Sequence, residues 1–208
     1  MACEKHPLAS SRGGLCPVCL LEEALLPDKE EPPRRLVVQL PLGLTPSGSV
    51  FLVRQEAPAA GLLRLKIWHR QATPDFLDRF NELRQALAQA AETAIVAPLA
   101  GSLDTDGCPS VLTEFRRGVP LLQAVASGAL SRRAAADLAG PVREVLYRMH
   151  ARQLAHGSIV AGNVIVRPDL TAVCLLDFGL SALQRPRSSP AATASEDDEA
   201  LDALIRLL

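Results

Sequence analysis

The stretch that decides the fold is "LAHGSIVAGNVIVRPDLTAVCLLDFGL", Leu154 to Leu180. His156 is followed seven residues on by Asn163. Two short apolar runs, Asn163–Val166 and Val173–Leu176, lie either side of a turn-forming "RPDLT" and lead into Asp177-Phe178-Gly179. Runs rich in β-branched residues, separated by turn chemistry, predict a hairpin. An asparagine and an Asp-Phe-Gly held apart by one hairpin form a far more specific pattern than either alone.

Upstream, "SRRAAADLAGPVREVLYRMHARQ" reads as largely helical, and downstream "QRPRSSPAATASEDDE" reads as a low-complexity, mobile segment before the apolar helical pattern "EALDALIRLL". The first half differs in character. "RLVVQLPLG", "SVFLVRQE" and "GLLRLKIWH" are strand-like runs with turn residues between them, and "IVAPLAGSLDTDGCPSVLTEF" adds two more strands about a turn at Asp104–Pro109. Between them, "TPDFLDRFNELRQALAQAAE" predicts an amphipathic helix with Phe76, Phe80, Leu83 and Leu87 on one face, Thr73 as its cap and Pro74 at its first position. The charged, proline-bearing "PDKEEPPRR" reads as a linker. The expected organisation is a small unit over residues 1–26, a linker over 27–34, a sheet-rich lobe over 35–115 and a helical lobe over 116–208.

Composition narrows the functional classes. The chain has 208 residues, enough to bury a real core, with 48% apolar and 3% aromatic residues. A net charge of −1 supplies no electrostatic drive toward nucleic acid. Charges interrupt every apolar run, so no membrane span is expected, and "MACEKHPLASSRGG" lacks a secretory apolar core. The expectation is a reducing, cytoplasmic setting, in which five cysteines argue for metal or thiols over disulfides.

Cys3, His6, Cys16 and Cys19 make C-x2-H-x9-C-x2-C. Two close pairs joined by a Ser/Gly-rich loop suit a tetrahedral zinc ion, and four protein ligands make such a site structural. The alternative is a tail with unrelated cysteines. A unit this small needs the metal to fold. Cys108 and Cys174 read as a turn residue and a buried strand residue.

The other signals fall in one order. "GLTPSGSV" places Gly43, Gly48 and Val50 as in a phosphate-covering G-x-G-x-x-G-x-V hairpin, with Thr45 at the middle glycine. Lys66 follows Val50 by sixteen residues on a strand, and Glu82 follows Lys66 by sixteen on a helix. Taken singly, Lys66 reads as a solvated strand residue and Glu82 as part of a solvated helix face. Together with the 154–180 stretch the arrangement resembles the protein kinase fold, in particular bacterial kinases of the eukaryotic serine/threonine type, from about Leu36 onward. The resemblance implies an α+β, two-lobed architecture: an antiparallel sheet with one helix, then a truncated helical lobe, with the small zinc-binding unit in front. It implies that Lys66 contacts the ATP phosphates and that Glu82 holds Lys66. It makes Asn163 and Asp177 the Mg2+ ligands and Thr113 a gatekeeper. Backbone groups of Glu114 and Arg116 then bond the adenine edge. His156 becomes a structural histidine, and Asp197 an acid tying the last helix to the His156 loop; a plain helix N-terminal acid is the alternative for Asp197.

Four departures bear on activity. Ser158 stands where the family has its catalytic aspartate, Val160 replaces the loop lysine, and Gly157 replaces the loop arginine. No A-P-E motif is visible, and only about seventeen residues separate Gly179 from Asp197. The expectation is therefore a pseudokinase that binds ATP and Mg2+ and signals by shape. The alternatives are an active but atypical serine/threonine kinase, and a zinc-bearing interaction adaptor that binds no nucleotide. Kinase helical lobes continue beyond the helix that closes this sequence. The resemblance therefore implies uncovered apolar surface on "LIRLL", met by a protein partner or by a longer chain.

Overall fold

The computed structural model describes residues 5, 16–24, 35–45, 48–56, 61–169, 172–189 and 192–208. The fold is α+β with an antiparallel sheet and several helices. It divides into two compact units, Met1–Asp78 with Pro98–Phe115, and Arg79–Ala97 with Arg116–Leu208.

The first unit is a five-stranded sheet of β1 (Arg35–Thr45), β2 (Gly48–Glu56), β3 (Gly61–Trp68), β4 (Pro98–Leu103) and β5 (Pro109–Glu114). Its order is β1-β2-β3-β5-β4, with every neighbouring pair antiparallel. Alternation sends Phe51, Val53, Leu63, Leu65 and Ile67 to one face, where they bury with Leu36, Ala100 and Leu112. Helix α1 (Pro17–Ala24) adds Val18 and Leu21, three residues apart, to the same cluster, and Glu22 accepts the Leu36 N–H. The described part of residues 1–26 therefore shares the sheet's core. Two apolar side chains cannot form a core by themselves, and burying them here contributes about 3–6 kcal/mol as an upper bound.

The 43–50 glycines have different physical standing. A Cβ on Gly48 would lie 2.7 Å from the Ile67 carbonyl oxygen, so β3 passes too close for any side chain. A Cβ on Gly43 would meet nothing within 4 Å. Gly48→Ala should therefore cost about 1–3 kcal/mol in chemical denaturation and Gly43→Ala less than about 0.5 kcal/mol. Equal costs would contradict this packing.

Helix α2 (Phe76–Ala90) starts in the first unit, where Phe76 meets Trp68 edge-on at 6.5 Å. In the second unit, Leu83 and Leu87 pack into a core with residues of α3 (Leu121–Ala126), α4 (Arg132–Asp137), α5 (Ala139–His150) and α6 (Ala194–Leu207). Strands β6 (Val119–Pro120), β7 (Val164–Val166) and β8 (Val173–Leu175) form a small antiparallel sheet. The stretch read as one helix over 131–153 is α4 and α5, parted at Leu138. Pro141 explains the break, since it has no N–H for the Asp137 carbonyl and its ring would clash there in a continuous helix. Pro141 is tolerated in the first turn of α5.

Two expectations about the C-terminal region change. The "low-complexity" segment is already helical from Ala194, because Thr193 and Glu196 form a reciprocal capping box. The apolar surface expected to lie uncovered on α6 is largely spent within the unit. Leu201, Leu204 and Leu208 are buried, and Leu207 is the strongly exposed one. Among the described residues, no helix is long and apolar enough to cross a membrane.

Candidate functional site

The hairpin is present. β7 pairs with β8 as Val164↔Leu175, Ile165↔Cys174 and Val166↔Val173. One step further, Leu176 N–H donates to the Asn163 carbonyl at 2.8 Å. On its other edge, β8 is stapled to residues 94–96: Leu175 N–H donates to Ala94 O at 2.7 Å, and Val96 N–H to Leu175 O at 3.0 Å. These backbone bonds fix Asp177 beside Asn163. Asp177 is 4% exposed and adopts φ +60°, a left-handed conformation that aspartate tolerates better than most residues. The Asn163 side-chain N–H donates to Ser158 O at 2.9 Å, which commits the amide nitrogen to the loop and leaves the amide oxygen as the hard donor.

The His156 loop is held from two sides. Gly179 N–H donates to His156 O at 3.0 Å, and the Phe178 ring lies 5.0 Å from the imidazole. Ser158 N–H donates to His156 Nδ1 at 3.2 Å, so the ring proton sits on Nε2, which has no partner among the described residues. Burial pushes the His156 pKa down, against the pull of Asp197 and Asp177, and the ring is neutral. From α6, Asp197 accepts from His156 N–H at 2.7 Å and Gly157 N–H at 2.8 Å, and it bonds His150 Nε2 at 2.9 Å. Asp197 is 1% exposed and is more than a helix N-terminal acid: it ties α6 to the loop.

The loop also explains one departure. Gly157 has φ +70°, and a Cβ there would lie 2.9 Å from both Ser181 Oγ and Ala192 Cβ. An arginine does not fit without moving them. Ser158 and Val160 border a cavity of about 340 Å³ whose acidic neighbours are Glu196 and Asp197. Both Asp197 oxygens are engaged as above, and Glu196 is held by the Thr193 cap. Asp169 faces Arg167 at 3.6 Å on the exposed hairpin turn.

In the first unit, Lys66 is half-buried on β3, paired in register with Val50 and Val111, and its ammonium lies 4.8 Å from the Trp68 ring centroid. Thr113 is buried near the end of β5, its hydroxyl 3.4 Å from the Arg64 carbonyl, and Glu114 closes the strand exposed. Arg116 is exposed and belongs to the second unit.

Glu82, which the resemblance assigns to holding Lys66, is bonded within its own unit by Arg187 at 3.2 and 3.3 Å, with both side chains largely exposed. Arg79 secures the arrangement by donating to the carbonyls of Arg185 and Ala182 at 2.7 and 2.6 Å, which lays residues 182–187 along α2. An exposed ion pair is worth about 0–1 kcal/mol, so this partner is easily exchanged. Arg187 was invisible because nothing in a basic, proline-bearing run marks which carboxylate it meets. Arg64 was the other residue overlooked, although strand alternation places it on the face of Lys66.

Of the zinc candidates, Cys3 and His6 lie outside the described residues. Cys16 precedes α1 and is buried, and Cys19 follows on its first turn, half-buried. Both pack with the sheet's apolar cluster. Among the described residues, no group of three metal-ligating side chains occurs. No protein-family model and no curated protein matches the chain.

Asp197 carries a prediction. Removing its carboxylate orphans the buried His156 N–H and the partly buried Gly157 N–H, so Asp197→Ala should lose about 2–5 kcal/mol in urea unfolding. A loss below about 0.5 kcal/mol would show that α6 is not tied to the loop through this residue.

Proposed function

We propose that the chain is a protein-kinase-like module that binds a magnesium–nucleoside triphosphate, ATP in the first instance, and is impaired in phosphoryl transfer. The observation that supports this is the Leu176–Asn163 backbone bond, which brings the Asn163 and Asp177 positions to the end of one hairpin. Asn163 and Asp177 fit Mg2+, which prefers oxygen ligands and substrate phosphates to an all-protein cage. The bound ion would neutralise charge on the phosphates. Lys66 would contact the α- and β-phosphates, and backbone groups of Glu114 and Arg116 would bond the base. Val50 and the Gly43–Gly48 hairpin would cover the phosphates.

Chemistry is the weaker half. A positioned general base is worth about 10²–10⁴-fold, and Ser158 supplies none. Val160, 51% exposed, brings no cation to the transferring group. Glu196 is the acid that favours the alternative of an atypical active serine/threonine kinase, since it borders the Ser158 cavity. Its engagement in the helix cap argues against that role. Zinc held by Cys3, His6, Cys16 and Cys19 belongs to the same proposal, as a structural brace for the segment ahead of α1. Binding nucleotide and changing partner affinity, with no turnover, would make the module a signalling or scaffold element.

Thermal unfolding tests the binding claim. Mg2+ with nucleotide at about ten times its Kd should add about 1.4 kcal/mol, or about 3–6 °C in Tm, and Asp177→Ala should abolish the shift. No shift at millimolar nucleotide would end the proposal. Phosphate incorporation into protein should be absent from the natural chain. Incorporation that disappears in Glu196→Gln would establish the active-kinase alternative.

A further inference from the structure

The second unit holds a cavity of about 440 Å³ between α2 and the segment that follows the hairpin, a size that accommodates a small organic molecule. Its walls are of two kinds. Leu83 and Ala86 of α2, with Leu154, Ala155 and Leu183, supply apolar surface. Arg79, Arg185 and Arg187 supply charge, and Glu82 is the one acid among the lining residues. Arg187 already meets Glu82, and Arg79 donates to the Ala182 and Arg185 carbonyls. The Arg185 side chain differs: it is exposed and has no hydrogen-bond or ion-pair partner among the described residues. Gln153, exposed on the turn after α5, adds an amide to the same wall.

We propose that this cavity is a binding site for a small organic carboxylate with an apolar body, its carboxylate paired with Arg185 and its chain against Leu83, Ala86 and Leu154. Arg185 also lines the cavity of about 340 Å³ at Ser158, so two places compete for its charge. Electrostatics decides between them. At the Ser158 cavity Arg185 stands with Glu196 and Asp197, and an incoming anion meets two carboxylates. On the α2 side three arginines outnumber one glutamate, and that glutamate is already paired. A planar guanidinium matches a carboxylate in a bidentate pair and is more weakly hydrated than an ammonium, so it gives up water at lower cost. The apolar wall then separates a carboxylate carrying a hydrocarbon body from a bare anion, because only the former takes that wall out of water. Lys66, Asn163 and Asp177 do not line this cavity, so the site stands independently of the nucleotide reading.

Isothermal titration of the full chain with octanoate, octanol and octylamine tests this, since the three share one chain and differ in the head group. Octanoate should bind about tenfold or more tighter than octanol, and octylamine should bind most weakly. Arg185→Gln should bring octanoate to the level of octanol. Arg206→Gln, which removes an exposed charge on α6 that lines neither cavity, should leave octanoate unchanged. Ala86→Phe, which fills space beside the apolar wall, should weaken octanoate and octanol alike. Circular dichroism and a cooperative melt identify which variants fold, and the natural chain's octanoate-to-octanol ratio tests the proposal without any variant. Equal affinities for octanoate and octanol would overturn it, since the arginine would then read no charge. Acetate bound as tightly as octanoate would also overturn it, showing a surface anion contact that makes no use of the cavity. Absence of octanoate binding at millimolar concentration, even where an acidic peptide binds, would end the proposal and leave the nucleotide reading untouched.

Discussion

A single buried carboxylate organises the helical unit. Asp197 leaves water almost completely, and a charge in that position is tolerable only because three donors meet it. Two are backbone N–H groups of the His156 loop, so the bond fixes the loop's conformation and not merely its position. The third, from His150, draws in the end of α5. Phe178 against His156, and Gly179 on the His156 carbonyl, then join the hairpin to the same loop. Helix, loop and hairpin thus share a polar anchor set within an apolar core, and the geometry of Asn163 and Asp177 follows from it.

The proposed separation between holding a nucleotide and transferring its phosphate rests on where the departures from the kinase resemblance fall. Phosphoryl transfer depends on positioning and on charge placed where charge develops. In the proposed reading, Ser158 and Val160 leave the loop without an acid and a cation, whereas Lys66, Asn163 and Asp177 are of the chemical types that would hold a metal-bound triphosphate. The Gly157 position is consistent with this separation. Its left-handed backbone and close neighbours suit a loop that carries no arginine.

Much of the fold was legible because strand alternation and turn chemistry are local. All five strands of the first sheet, the 164–175 hairpin and α2 were visible from runs such as "SVFLVRQE" and "FLDRFNELRQALAQA". Pro141 shows where local rules compete: helix periodicity continued across 131–153, but a missing donor split it. Thr193 and Glu196 show the reverse, an acidic, Ser-rich composition overridden by a capping box. Contacts over long sequence separations were not legible. The site's residue types could be picked out, but the partners of Glu82 and of Asp197 are set by residues 105 and 41 positions away. The docking of α1 on the sheet depends on two buried side chains whose destination no periodicity specifies.

Hydrogen–deuterium exchange on the full chain, with Mg2+, nucleotide, both and neither, addresses the central claim most directly. The account predicts slowed exchange on β3 around Lys66 and on the 163–177 hairpin only when metal and triphosphate are present together. Unchanged exchange at both segments in a folded protein, at millimolar triphosphate of either purine, would contradict it.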